Sequence, residues 1–221
     1  MSLYCSNVET IPLQSSPVST LKINNFLTDR DKQYFRGYTN YISEREEHGP
    51  FISNTYELFE CTELVELKDK FNFAVRTYVQ EVLRVPGLQF RLIGSWLTKN
   101  TLNTKHHTHS HTNSMLSVVT YFDDSICKDD NIQGIIFEQN KFDCIFPQFK
   151  FDFKNLKPDK WNIYNYEFYT LRPRHNEVII FPSHLYHRSE VNLTDSRFCI
   201  GANYFISGEI CGNGIFTQIK L

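Results

Sequence analysis

No run of about 18 apolar residues, the length a membrane-spanning helix needs, occurs in this 221-residue chain. Met1 to Thr20 also lacks a basic stretch followed by an apolar one, so no secretory leader is expected. The six cysteines, Cys5, Cys61, Cys127, Cys144, Cys199 and Cys211, form no CxxC pair and no dense framework. They read as reduced thiols of a soluble cytoplasmic protein, not as a disulfide scaffold or a zinc ribbon. Neither sign of charge dominates: the formal net charge is -2 and no long like-charge block occurs, which gives no footing for nucleic acid or an anionic membrane as partner. Glycine and proline are scarce, nine and eight residues, which argues against a low-complexity chain.

What is abundant is aromatic residues, 15% of the chain and mostly Phe and Tyr, a composition that suits sheet. The length fits one domain, taken as residues 1–221 with an N-terminal helical part (1–87) and a β core (88–221). In the first part Thr28 is a candidate N-cap with Asp29 and Asp31 in the following turn, and Tyr34, Phe35, Tyr38, Tyr41 and Ile42 recur at helical spacing. A second helix is expected over about 62–84, with Leu64, Leu67, Phe71, Ala74, Val75, Tyr78, Val79 and Val82 as its apolar stripe and Pro86-Gly87 as its stop. Beyond Gly87 come short β-rich runs at 88–96, 115–122, 134–138, 167–172, 178–181 and 197–206. Helices first and many short strands later give an α+β chain with a jelly-roll or barrel core. Residues 139–166, irregular but rich in Phe, read as an ordered flap.

Four of the eight histidines fall in His106-His107-Thr108-His109-Ser110-His111. In an extended strand His107, His109 and His111 would share one face and His106 the other. Ligands at i and i+2 plus one from a distant strand make an open facial metal site. A solvated His-rich loop is the plain alternative, but the tract runs directly into the strand-like Met115–Phe122. Downstream, Glu177-Val178-Ile179-Ile180-Phe181-Pro182-Ser183-His184-Leu185-Tyr186-His187 ends an apolar strand in histidine. Then Arg197, Cys199, Gly201 and Asn203 alternate with Phe198, Ile200, Ala202 and Tyr204. Arg, Gly and Asn on an inward face pack poorly as core but suit a polar ligand. Arg197 could hold a carboxylate through two parallel hydrogen bonds, and Gly201 would leave room for it. An edge-strand arginine with a surface ion pair is the plain alternative.

Together these residues resemble the 2-oxoglutarate and Fe(II)-dependent oxygenases, most of all a branch from phages and bacteria. The resemblance rests on Ser95-Trp96-Leu97, His109-Ser110-His111-Thr112-Asn113-Ser114-Met115-Leu116-Ser117, Phe181-Pro182-Ser183-His184-Leu185-Tyr186-His187 and Arg197, and it covers about residues 20–207. It implies a double-stranded β-helix (jelly-roll) core with the N-terminal helices packed against it. It further implies Fe(II) held by His109, His111 and His187, and 2-oxoglutarate anchored by Arg197. Tyr121 and Asn203 are further candidates near the cofactor, and His107 is an alternative ligand or a support for one. The chain departs from the superfamily's usual H-x-D or H-x-E, because His111 stands where the carboxylate would be. His175-Asn176-Glu177 is the lone H-x-E, placed where this fold has a turn, and His184 reads as a loop or pocket-wall residue. The implied reaction is hydroxylation of a small molecule or a protein side chain, with release of succinate and CO₂. Two other classes stay open: a three-histidine dioxygenase that does not use 2-oxoglutarate, and a non-catalytic jelly-roll binding module. Neither substrate identity nor oligomeric state is legible.

Overall fold

A computed structural model of the chain describes residues 16–42, 49–85, 87–122, 133–138, 168–174, 176–210 and 219–220. The expected flap at 139–166, His175 and Pro86 lie outside the described residues. Among those described, no helix is long and apolar enough to cross a membrane.

Helix α1 (Asp29–Arg36) starts where its cap requires. The Asp31 N–H donates to Thr28 Oγ1 (3.2 Å), and the Thr28 N–H donates back to Asp31 Oδ2 (2.8 Å). This reciprocal box is worth about 1 kcal/mol and sits with Asp29 at the positive end of the helix dipole. Gly37 ends α1, so Tyr38 and Tyr41 lie beyond it, Tyr41 in the two-residue strand β2 (Tyr41–Ile42). Helix α2 (Val65–Tyr78) follows a short 3₁₀ turn over Thr62–Leu64 and runs into a π turn over Val79–Leu83. Arg84 closes that turn with φ 54°, a left-handed residue that cannot continue the helix. The expected stripe is the buried face: Leu64, Leu67, Phe71, Ala74, Val75, Tyr78 and Val79 are buried, while Val82 is exposed.

The strands are β1 (Ser19–Lys22), β2, β3 (Phe51–Ser53), β4 (Gln89–Thr101), β5 (Leu116–Phe122), β6 (Ile135–Glu138), β7 (Phe168–Leu171), β8 (Glu177–Pro182), β9 (His187–Ser189) and β10 (Ser196–Ser207). A short β11 (Glu209–Ile210) and β12 (Ile219–Lys220) pair with each other. The major sheet is antiparallel, ordered β1-β8-β5-β10-β4-β3-β2; the minor one is β7-β6-β9. The architecture is a mixed α+β jelly roll, as expected. The N-terminal part is not purely helical, however: β1 flanks β8, and β3 with β2 flanks β4. The runs 19–22, 41–42 and 51–53 are too short to show a period in sequence.

Strand alternation separates two cores. On one face of the major sheet Leu97, Leu116, Val118, Phe122, Val178, Ile180, Phe198, Ile200, Ala202 and Tyr204 pack with α1 and α2. Ring pairs such as Phe26–Phe71 (5.2 Å), Phe59–Phe71 (4.8 Å) and Phe35–Phe122 (6.0 Å) hold the helices there. On the other face Val119, Tyr121, Ile179 and Phe181 meet Ile135 and Phe137 of the minor sheet. The second core is small, and the space beside it is filled by polar residues of β4 and β10.

Candidate metal centre

Central strand β10 lies between β5 and β4, with Arg197 opposite Asn100, Cys199 opposite Thr98 and Tyr121, and Asn203 opposite Ser117. Its outward-from-helix residues face the minor sheet, as the alternation predicts. The tract His106–His111 comes to the same place, but not as a regular strand. Only His109 forms a bridge, a reciprocal pair with His187: each N–H donates to the other's carbonyl at 2.9 Å. The His111 N–H donates to the Ser183 carbonyl (2.9 Å). The tract thus lies along β9, whose other side pairs with β6.

These contacts bring His109, His111 and His187 together, with one ligand-capable nitrogen from each lying within 4.8 Å of the others. Ring centroids are 5.3 Å apart for His109 and His111, 4.4 Å for His109 and His187, and 5.1 Å for His111 and His187. Each Nδ1 is already engaged: His109 with the His107 carbonyl (2.7 Å), His187 with the Leu185 carbonyl (2.9 Å), and His111 with Asn203 Oδ1 (2.8 Å). Neutral imidazoles that donate through Nδ1–H present Nε2 as a lone pair, the arrangement a metal ligand needs. Burial disfavours the charged rings, pushing His187 down to about 3, His111 to about 4, and His109 below its ordinary value. At neutral pH the cluster is therefore deprotonated and ready to ligate.

Three serines that the sequence marks only as motif positions support His111. Ser117 Oγ lies 2.7 Å from His111 Nδ1 and donates to Asn203 Oδ1 (2.9 Å). Ser117 and Ser183 hydroxyls are 2.8 Å apart, and Ser183 and Ser114 hydroxyls 2.7 Å. Asn203 thus backs the ring of a candidate ligand. As part of this network it restrains the His111 ring, and it is not among the residues lining the cavity beside the triad.

The cavity beside the triad is lined by Arg197, Tyr121, Cys199, Thr98, Asn100 and Trp96, among others. Arg197 is 2% exposed and its Nε has no hydrogen-bond partner. Its guanidinium stacks 4.4 Å over the Tyr121 ring. Among the described residues no carboxylate pairs with it, and a buried unpaired charge is expensive. Thr98 Oγ1, also buried and unpartnered, lines the same cavity. Burial raises the Tyr121 hydroxyl above its usual range and the Cys199 thiol to about 11, so both are protonated at neutral pH. A carboxylate placed here would satisfy the unpartnered Arg197 Nε and Thr98 Oγ1. The donor set therefore fits an anionic chelator that reaches from a metal on the histidines to Arg197.

Two expectations change. Gly201 clears space for the Trp96 indole, not for a ligand: a Cβ there would lie 2.4 Å from Trp96 Cζ2. Trp96 in turn stands edge-on to His111 at 5.3 Å. His107 also does not share the face of His109 and His111. His107 is exposed and contributes its carbonyl, whereas His106 lines the cavity with its ring 4.8 Å from His109. The face assignment assumed unbroken strand geometry, and one isolated bridge does not keep that period. His184 is exposed and reaches Ser16 Oγ (3.3 Å), outside the cavity. A usable signal for Thr98 and Asn100 was present in the sequence: they alternate with Leu97 on the strand that carries Trp96.

Residues 94–203 match the family model described as "Putative 2OG-Fe(II) oxygenase". No curated protein matches the chain in sequence. Among solved structures, the chain is similar to a 2OG-Fe(II) oxygenase family oxidoreductase from Burkholderia pseudomallei (TM-score 0.55, 8% identity, covering 85% of this chain and 83% of that one). It is also similar to HygX from Streptomyces hygroscopicus, solved with nickel, 2-oxoglutarate and hygromycin B (TM-score 0.54, 13% identity, covering 84% and 82%). A Pseudomonas putida prolyl-4-hydroxylase gives TM-score 0.52 at 11% identity, covering 86% and 92%. At these identities the likeness shows the fold.

Proposed function

We propose that the chain is a 2-oxoglutarate- and Fe(II)-dependent dioxygenase, of the kind whose family model matches residues 94–203, and that it hydroxylates an organic substrate. His109, His111 and His187 would hold Fe(II), and Arg197 with Thr98 would receive the distal carboxylate of 2-oxoglutarate. The observation that carries this reading is Arg197, a buried cation without a carboxylate partner among the described residues, on the wall of the cavity that the three histidines close. The overall reaction converts substrate C–H, 2-oxoglutarate and O₂ into C–OH, succinate and CO₂.

Bound Fe(II) with 2-oxoglutarate supplies the activation of O₂ and the oxidation of an unactivated C–H bond. The chain's own residues hold and shield. Asn203 and Ser117 fix the His111 ring, and the Leu185 and His107 carbonyls fix the other two. Tyr121 stacks under Arg197 and offers a protonated hydroxyl. Ile135, Val119 and Trp96 close the cavity with apolar surface and limit water. The Arg188–Glu138 ion pair, Nε to Oε1 at 3.1 Å, lies beside it where substrate could enter. The substrate, a small molecule or a protein side chain, is selected by loops around this rigid frame, in one domain with the site at its mouth.

His111 in place of the usual carboxylate favours a second reading, a three-histidine dioxygenase that oxidises its substrate without 2-oxoglutarate. Anaerobic Fe(II) titration separates the two. A weak visible band that requires both Fe(II) and 2-oxoglutarate, with succinate formed on admitting O₂, supports the first. Tight iron binding that 2-oxoglutarate leaves spectroscopically unchanged would sink it.

A further inference from the structure

Among the described residues, His106 is the one histidine of the cavity that the metal reading leaves idle. Its backbone is clamped at both ends to Ser189, two residues past His187. The His106 N–H donates to Ser189 Oγ (2.8 Å), and the Ser189 N–H donates to the His106 carbonyl (3.2 Å). The ring therefore has a fixed origin, and it leans over His109 at 4.8 Å with the planes 34° apart. It is not one of the three rings whose nitrogens converge within 4.8 Å of one another. Among the described residues, nothing hydrogen-bonds its ring nitrogens. An imidazole carries both a donor and an acceptor, so this ring has hydrogen-bonding capacity to offer a molecule held in the cavity.

The same cavity is lined by the three ligand rings, His106 and Arg197. The His106 ring thus lines the same cavity wall as the triad and Arg197, between which a chelating co-substrate would lie. We propose that His106 is an additional anchor for 2-oxoglutarate, its ring N–H donating to an oxygen of the bound co-substrate. This rests on the cofactor reading above, and it gives the chain a 2-oxoglutarate contact outside the metal triad and Arg197. The backbone clamp makes the contact structural: the loop that carries His109 cannot seat on β9 without also delivering His106.

The test is anaerobic 2-oxoglutarate titration of the Fe(II)-loaded full chain, followed by visible absorption, for the wild type, His106→Phe and His106→Gln. Ni(II) affinity of each metal-free protein is measured by calorimetry in parallel. Losing one hydrogen bond to a charged oxygen predicts a Kd for 2-oxoglutarate raised roughly tenfold to a hundredfold in His106→Phe. In His106→Gln, which keeps an N–H donor, the rise stays within about threefold. Ni(II) affinity should match the wild type throughout. Unchanged 2-oxoglutarate affinity in the folded Phe variant overturns the anchor, and parallel loss of Ni(II) affinity overturns it in favour of a ligand role. A wild type that binds Fe(II) but shows no 2-oxoglutarate band overturns the cofactor reading and the anchor together, whatever the variants do.

Discussion

Asn203 Oδ1 lies 2.8 Å from His111 Nδ1, so a candidate metal ligand in a loop is tied to the central strand of the major sheet. The tie fixes both the tautomer and the ring plane. Replacing Asn203 with Ala leaves Ser117 alone at that nitrogen. Supports of this kind typically change metal affinity about 10- to 100-fold, and a loss in that range is expected here. Calorimetric Ni(II) titration measures it; equal affinity in the folded variant would mean that the pair does not orient the ring.

Arg197 carries its charge into the interior without a carboxylate partner among the described residues. In the absence of 2-oxoglutarate, Arg197→Met should therefore be neutral or stabilising, by up to about 1–4 kcal/mol, the range seen when buried charge gives way to apolar volume. Addition of 2-oxoglutarate with Fe(II) should raise the unfolding midpoint of the wild type and not of the variant. Urea denaturation with and without the co-substrate checks both halves. Strong destabilisation of the ligand-free variant would show that Arg197 is structural.

Acid should loosen the metal-free fold through the histidines. An unfolded histidine takes its proton near pH 6.5, whereas burial holds His111 near 4 and His106 and His187 near 3 in the fold. Between those values the unfolded chain binds more protons, so stability rises with pH. The contribution is intact above about 6.5 and is lost as pH falls toward 4. Unfolding midpoints taken from pH 7.5 down to 4.5 should fall, and less steeply for His187→Asn, which cannot titrate. Identical slopes would refute the assignment.

Gly201 sits where a Cβ would meet Trp96 Cζ2 and Cε2 at 2.4 and 2.5 Å. Gly201→Ala must push the indole toward His111, at a cost of about 1–3 kcal/mol for overpacking. The expected outcome is a lower denaturation midpoint with altered tryptophan emission. A variant as stable as the wild type would mean that the indole moves freely.

Much of this was legible where local pattern and tertiary role coincide. Thr28 and Asp31 sit at a helix start in sequence and in space. The two faces of β10 follow from strict alternation, and the sheet holds that alternation from Ser196 to Asn203. The failures come from relationships that no local window contains. The space above Gly201 depends on which β4 residue stands opposite, and that is set by register. His106 reaches the cavity because Ser189 grips its backbone, an interaction 83 residues away in sequence. Asn192 shows the opposite case: Asn192-Leu193-Thr194 matches the N-x-S/T pattern, which the sequence alone gives no reason to use, and the structure shows why, since Asn192 Nδ2 is buried and donates to the carbonyls of Asn100, Thr101 and Thr194. An acceptor amide needs to be free, and this one is spent holding two loops together.

β10 is at once a wall of the helical core and the floor of the cavity, and its residues are assigned to the two alternately. A single inserted or deleted residue before Arg197 would exchange the sets along the whole strand: Arg197 and Asn203 would turn toward Phe35, Phe71 and Tyr78, while Phe198 and Ile200 would fill the cavity. The register shift opposite Asn203 and Tyr204 is taken up by β4, where Ile93 is the extra residue, so β10 keeps its own period through Tyr204, a buried residue of the helical core. Length variation in β10 should therefore be accepted only beyond Tyr204. Upstream of it, chemistry and foldability would fail in the same step.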